Sequence, residues 1–384
     1  MSAGVICGNP MTDSDARPSS LAGRPQPVSL LRPGYGIRPR ALASSPLFMI
    51  LCAMSLLRIR SRSIKGSERR PMKRLREDGS AAKRWGVWRG VLAALVTPMR
   101  SDGTLDVRTL ESLVDRLIRE GVHGLVPLGS TGEFYALSPD ERQRVLRATL
   151  GAAAGRVPVV AGANAGATRD VIVFSRRAER LGCSGVMLAA PYYSLPTPDE
   201  LYAHFRAVHG AIGIPIMIYN YPGRTGVDMT PDFIERLARL KNVRAVKDST
   251  GDWGRMTRLL RRCAGRLDVL CGCDTLALAS LLAGASGWVG GAVNFLPASH
   301  VELYVRVTEG RIADARKMFR DILPTLRLLE GGGKYTQWVK AACGLMGCDC
   351  GAPRGPLGPA TPAERARLRA ALRRCAEGKG RRPA

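Results

Sequence analysis

From Gly86 onward the chain alternates short apolar runs with helix-length amphipathic stretches, and this alternation restricts the fold more than any other feature. Strand-length apolar runs separated by 3.6-periodic stretches are the pattern of repeated βαβ units, in which helices cover a parallel sheet. Eight runs qualify as strands: 91–96, 124–128, 157–161, 185–189, 215–219, 243–247, 268–271 and 287–291. Their interiors are almost continuously apolar, as in strands buried on both faces.

Eight strands with intervening helices favour a closed (β/α)8 TIM barrel over an open doubly wound sheet. The glycine-rich dinucleotide fingerprint that such an open sheet carries after its first strand is missing. Helix entries are written clearly. Ser138-Pro139-Asp140-Glu141 and Thr197-Pro198-Asp199-Glu200 each place a hydroxyl at the N-cap, Pro at the first helical position and Glu at the third, which is a capping box. Thr230-Pro231 and Thr361-Pro362 repeat the hydroxyl-Pro entry, and Glu364 completes the second of them. After Pro297 there are more helical periods than the barrel needs, so two or three extra helices should pack beside it as a small C-terminal helical extension. The expected organisation is a disordered basic N-terminal extension over 1–85, a catalytic barrel over 86–308, and the helical extension over 309–384.

Composition agrees with a core-forming chain, at 45% hydrophobic and 23% charged residues. A formal charge of +26 raises nucleic-acid binding as a class, but the excess is poorly clustered. Much of it lies before residue 86, in the runs 58–62 and 69–76, and the rest is scattered singly over helix faces, so no nucleic-acid partner is expected. The leader is rich in Arg, Pro, Ser and Gly and shows no sustained period, which reads as disorder, with Met72 an alternative start. Its apolar run 47–57 is too short to cross a bilayer and too far in for an ordinary signal peptide, so no membrane partner and a cytoplasmic location are expected. The ten cysteines include the pairs Cys271/Cys273 and Cys348/Cys350, whose spacing is not that of a zinc site; reduced thiols and no metal are expected.

In such a barrel the reactive side chains sit at the C-terminal strand ends. Ser130 and Thr131 follow the second run, Tyr192 and Tyr193 the fourth, Tyr219 ends the fifth, and Lys247 ends the sixth; Gly272 and Asp274 follow the seventh. A lysine closing the apolar strand Val243-Arg244-Ala245-Val246-Lys247 presents its amine at the barrel mouth, where desolvation lowers its pKa, and a neutral amine attacks ketones. A lysine salt-bridged to Asp248 is the alternative. Forming and resolving an imine also requires protons to be moved to and from the carbinolamine oxygen, which tyrosine and serine hydroxyls can relay. Tyr219 stands one strand from Lys247. A plain core role is open to any one tyrosine, but several hydroxyls on one rim point to a Schiff-base-forming lyase.

At these residues the chain resembles the dihydrodipicolinate synthase and N-acetylneuraminate lyase superfamily, from about residue 86 to the C-terminal helices. Gly129-Ser130-Thr131-Gly132-Glu133 is similar to the family motif whose amides and hydroxyls hold the carboxylate of a 2-oxo acid, and Lys247 in Val246-Lys247-Asp248-Ser249-Thr250-Gly251 falls at the Schiff-base lysine. The resemblance implies that Tyr219 is the central acid/base, linked through Ser130 to Tyr193, which reaches into a neighbouring subunit's site. A homodimer or homotetramer is therefore implied. Val289 and Gly272 match positions whose backbone lines the pyruvate pocket and approaches the lysine. Arg224 stands where the synthases use an arginine for the carboxylate of aspartate semialdehyde, a use that suits a planar guanidinium.

Departures from the pattern are Ser130 for the usual Thr, Cys273 for a frequent Asp and Gly290 for a common Ser. Where lysine-inhibited synthases place small or polar residues, a histidine and an asparagine, this chain has Phe134, Tyr135, Pro139 and Gly166. The expectation is a lyase or synthase that condenses pyruvate with an aldehyde as 4-hydroxy-tetrahydrodipicolinate synthases do, without a cofactor, since the protonated imine is the electron sink. An aldolase, dehydratase or deaminase acting on a 2-keto-3-deoxy sugar acid or a hydroxylated pyrroline carboxylate uses the same imine. A catalytically silent effector-binding barrel is the non-enzyme alternative.

Overall fold

A computed structural model of the chain describes residues 88–377; the leader 1–85, its apolar run and Met72 lie outside them. Eight parallel strands form one sheet in the order β2-β1-β8-β7-β6-β5-β4-β3. They are β1 Gly90–Ala94, β2 Gly124–Val126, β3 Val160–Gly162, β4 Gly185–Ala189, β5 Ile216–Asn220, β6 Val243–Asp248, β7 Asp268–Cys271 and β8 Gly287–Gly290. A parallel bridge between Leu125 and Val159 joins the two ends of the sheet, so the strands close into the expected barrel. Two hydrogen bonds reinforce the closure, Leu125 N–H to Pro158 O at 2.9 Å and Gly162 N–H to Pro127 O at 2.9 Å.

Several strand ends differ from expectation, β1 stopping at Ala94 instead of Val96 among them, and two of these differences share one reason. Pro127 and Pro158 have no N–H to give to a ladder. The ladder of β2 stops at Val126, with Leu128 turning to φ 60°, and that of β3 starts only at Val160. β5 and β6 each run one residue further than expected, pairing Asn220 with Asp248 and thereby setting Tyr219 directly beside Lys247.

The outer helices are α1 Val107–Arg119, α2 Pro139–Ala153, α3 Thr168–Arg180, α4 Pro198–Ala211, α5 Pro231–Leu237, α6 Trp253–Arg262, α7 Ala277–Leu282 and α8 Pro297–Thr308. Both expected capping boxes form. Ser138 Oγ accepts from Glu141 N–H at 3.2 Å while Glu141 accepts from Ser138 N–H at 2.9 Å, and Thr197 and Glu200 repeat the exchange. Three helices follow the barrel: α9 Ile312–Gly331, α10 Tyr335–Leu345 and α11 Pro362–Glu377, the last entered through Thr361 and Glu364.

Apolar side chains separate into two cores, as the period of 2 along a strand requires. One lies between sheet and helices, and a smaller one fills the barrel with Leu92, Val160, Met187, Met217 and Leu270, closed below by Trp88. Ala245 belongs to this inner core, so Lys247, two residues on, also faces inward. Among the described residues no helix is long and apolar enough to cross a membrane, and the eight cysteines described are free thiols.

Candidate active site

Lys247 sits at the end of β6 with only 6% of its surface exposed. Its Nζ lies 4.3 Å from the centroid of the Tyr219 ring, on the neighbouring strand. Burial disfavours the ammonium and lowers the lysine to about 8, against the opposing pull of Asp274 and Glu330. A useful fraction of neutral amine therefore exists near neutral pH. The alternative pairing with Asp248 does not form: that carboxylate faces the outer side, where it accepts from Asn220 Nδ2 at 3.3 Å and Thr250 Oγ1 at 2.6 Å. Gly272 leaves room for the lysine stem, since a Cβ there would lie 2.9 Å from Lys247 Cε and 2.1 Å from Ser249 Oγ.

The Tyr219 hydroxyl is 3.1 Å from Ser130 Oγ, and burial raises its pKa, so it holds its proton until a partner takes it. Ser130 and Thr131 lie on the loop after β2. Thr97 Oγ1 donates to Gly132 O at 2.7 Å to fix this loop, and Glu133 beyond it turns in the left-handed region at φ 55°. Ser130, Thr131, Tyr219, Lys247, Gly272 and Val289 all line one open cavity at the C-terminal ends of the strands, and Arg224 lines it too. Arg224 comes from the helical turn Pro222–Thr225 and lies over the Tyr221 ring at 5.8 Å.

Tyr193 is placed differently. It lies outside the cavity, 97% exposed, with its backbone at φ 74° in a region that a tyrosine rarely adopts. Within one chain it does not meet Ser130.

Strand-end reasoning found Asp274 but missed Glu330 and Tyr335, which the helices after the barrel bring to it. Asp274, fully buried behind Lys247, accepts from Trp288 Nε1 at 2.9 Å and from the Tyr335 hydroxyl, which in turn accepts from Gly291 N–H at 3.0 Å. Glu330, in the last turn of α9, accepts from Asp274 N–H at 2.9 Å and lines the cavity together with Tyr335 and Thr336. Gly290 and Gly291 make this possible, because a Cβ at Gly290 would lie 2.5 Å from Asp274 Oδ1 and one at Gly291 2.6 Å from the Tyr335 ring. The cavity thus combines a desolvated amine, the paired hydroxyls of Ser130 and Tyr219, a guanidinium and a carboxyl. Such a set is suited to imine chemistry on a 2-oxo acid.

The sequence model of the Dihydrodipicolinate synthetase family matches residues 87–375. The chain belongs to this family. It is 37% identical over 287 residues to a 4-hydroxy-tetrahydrodipicolinate synthase of Pelobacter propionicus, covering 75% of this chain and 98% of that one. With the enzyme of the same name from Acidiphilium cryptum it shares 39% identity over 286 residues, 74% of this chain and 98% of the relative. Among solved structures, the chloride-inhibited dihydrodipicolinate synthase of Acinetobacter baumannii in complex with pyruvate superposes with a TM-score of 0.72 at 33% identity, covering 75% of this chain and 99% of that one. YagE, an E. coli prophage protein of the dihydrodipicolinic acid synthase family, also solved with pyruvate, gives 0.73 at 28% identity over 76% of this chain and 99% of its own. The family covers the barrel and the three C-terminal helices together, so Glu330 and Tyr335 lie within the matched region.

Proposed function

We propose that this family member is a pyruvate-dependent synthase of the 4-hydroxy-tetrahydrodipicolinate synthase kind. Lys247 Nζ attacks the pyruvate carbonyl, and Tyr219 delivers a proton to the departing oxygen, replenished through Ser130. The pyruvate carboxylate is held at the Ser130-Thr131 loop, with the backbone at Val289 and Gly272 shaping the floor. Loss of a methyl proton gives the enamine, for which the protonated imine is the electron sink. The enamine carbon then bonds to the aldehyde carbon of an acceptor whose carboxylate pairs with Arg224; L-aspartate semialdehyde has that form.

The observation that carries this reading is the desolvated Lys247 amine over the Tyr219 ring inside a cavity that Arg224 also lines. The names of the relatives support the acceptor. Tyr193, exposed beside Leu195 on the same loop, would complete the relay of a second copy, and a homodimer or larger homo-oligomer would then be the working assembly. Coupled assays of pyruvate with a panel of aldehydes, with and without an acceptor carboxylate, test the assignment. Turnover confined to carboxylate-bearing aldehydes supports it. Cleavage or dehydration of 2-keto-3-deoxy sugar acids, with no condensation, would replace it by the alternative imine chemistry.

A further inference from the structure

Glu330 reaches the cavity from outside the barrel, in the last turn of α9, and lies against the turn that follows β7. Ser130, by contrast, comes from the loop after β2, so the two flank Lys247 from different parts of the rim. Asp274 is already committed, with one oxygen on Trp288 and the other on Tyr335. Tyr219 is raised by burial and is a poor base. That leaves Glu330 as a carboxylate in the Lys247 cavity able to take a proton from a ligand.

We propose that Glu330 is the general base of the ring-closing step that frees Lys247 from the condensed intermediate. The proposal rests on the synthase reading above. After the enamine has added to the acceptor aldehyde, C2 of the former pyruvate is still joined to Nζ as a protonated imine. The acceptor's ammonium gives a proton to the Glu330 carboxylate, and the resulting amine nitrogen bonds to C2. A proton then crosses from that nitrogen to Nζ, and the C2–Nζ bond breaks with its electron pair staying on Nζ. Lys247 is left as a neutral amine, the product as a protonated cyclic imine that loses its proton to solvent, and Glu330 returns its own proton to solvent through the open mouth.

The surroundings of Glu330 suit this task. It is faced by Asp274 and Cys273 from the turn after β7, by Lys247 from β6, by Tyr219 and Tyr221 at the end of β5, and by Tyr335 from α10. Burial, aided by the Asp274 charge, raises its carboxyl to about 7, which places both protonation states within reach at neutral pH.

The test compares wild-type enzyme with Glu330→Gln and Glu330→Asp, using pyruvate, L-aspartate semialdehyde and borohydride quenching at steady state. Glu330→Gln should trap the pyruvate adduct as wild type does, lose about 100-fold in kcat, and accumulate an adduct carrying pyruvate and acceptor together. The rise of wild-type kcat through pH 7 should flatten in this variant, and Glu330→Asp should recover part of the rate. Glu330→Gln turning over within threefold of wild type overturns the proposal, as does a slow variant that traps only the pyruvate adduct, or failure of both variants to trap pyruvate. Wild-type enzyme that traps pyruvate yet forms no condensed adduct would instead refute the synthase assignment on which the step rests.

Discussion

Lys340 and Glu133 form a buried ion pair, with Nζ 2.7 Å from Oε1 and side chains 1% and 0% exposed, that ties α10 to the loop carrying Ser130 and Thr131. Lys340 also donates to Ala352 O at 2.9 Å, and the second Glu133 oxygen accepts from Arg354 N–H at 2.7 Å. The extension after the barrel therefore fixes the conformation of the loop that carries Ser130 and Thr131. Removing one partner of such a pair leaves an uncompensated buried charge. Lys340→Met is expected to lose about 3–5 kcal/mol of stability in chemical denaturation and to raise the KM for pyruvate. Adding Glu133→Gln to that variant should restore part of the stability, because no buried charge then remains. A loss below about 1 kcal/mol would mean that the pair is a minor tie.

The pH dependence of imine formation follows from the burial of Lys247. The nucleophile is the neutral amine, so kcat/KM for pyruvate should rise about tenfold per unit below the lysine pKa and level off above about 8. Asp274 opposes that depression, so Asp274→Asn should move the limb to lower pH. A limb that stays in place or moves upward would show that another group controls the attack.

Arg224 is expected to act on the acceptor and not on pyruvate. Arg224→Ala should raise the KM for a carboxylate-bearing aldehyde by about 10- to 100-fold, the loss of a charge-assisted pair, while the trapped pyruvate adduct forms at the wild-type rate. An unchanged KM with every acceptor would return Arg224 to the surface of an Arg-rich protein.

Much of this site was legible because strand ends are legible. Lys247 closes an apolar strand, and Tyr219 closes the one before it, so their convergence needs only the period of 2 and the barrel. The early end of β2 and late start of β3 follow from Pro127 and Pro158, which break ladders without disturbing the apolar pattern. Glu330, Tyr335 and Lys340 were not legible. Each sits in a stretch that reads as an ordinary amphipathic helix, and nothing local states that α9 and α10 turn back over the barrel mouth. The glycines 331–333 between them are the one available signal, marking a sharp turn beside Glu330. Asp274 was visible as a strand-end carboxylate, but its bonds to Trp288 and Tyr335 depend on β8 and α10. Tyr193 could be assigned only by resemblance, since its proposed partner lies in another copy.

Free L-lysine at millimolar concentration should not inhibit this protein. Phe134 packs edge-on against Tyr135 at 5.6 Å and Tyr192 at 6.0 Å, while the Arg142 guanidinium lies 5.3 Å from Phe134 and 4.4 Å from Phe174. Arg142 also donates to Phe134 O at 3.1 Å and Asn164 O at 2.9 Å. By the family resemblance, Phe134 and Tyr135 of this cluster stand where the inhibited synthases are expected to offer small or polar groups, and neither Pro139 nor Gly166 has a side-chain donor or acceptor for the amino acid. Losing several hydrogen bonds at about 1–3 kcal/mol each removes useful affinity. Saturable inhibition below about 1 mM, about −4 kcal/mol of binding, would contradict this reading of the cluster.

The central claim is that Lys247 is the covalent nucleophile, and borohydride trapping with pyruvate, followed by peptide mass mapping, tests it most directly. Wild-type protein should carry one reduced pyruvate adduct on the peptide containing Lys247, and folded Lys247→Ala should carry none. An adduct on Lys241 or Lys340, or one that persists in Lys247→Ala, would contradict the account.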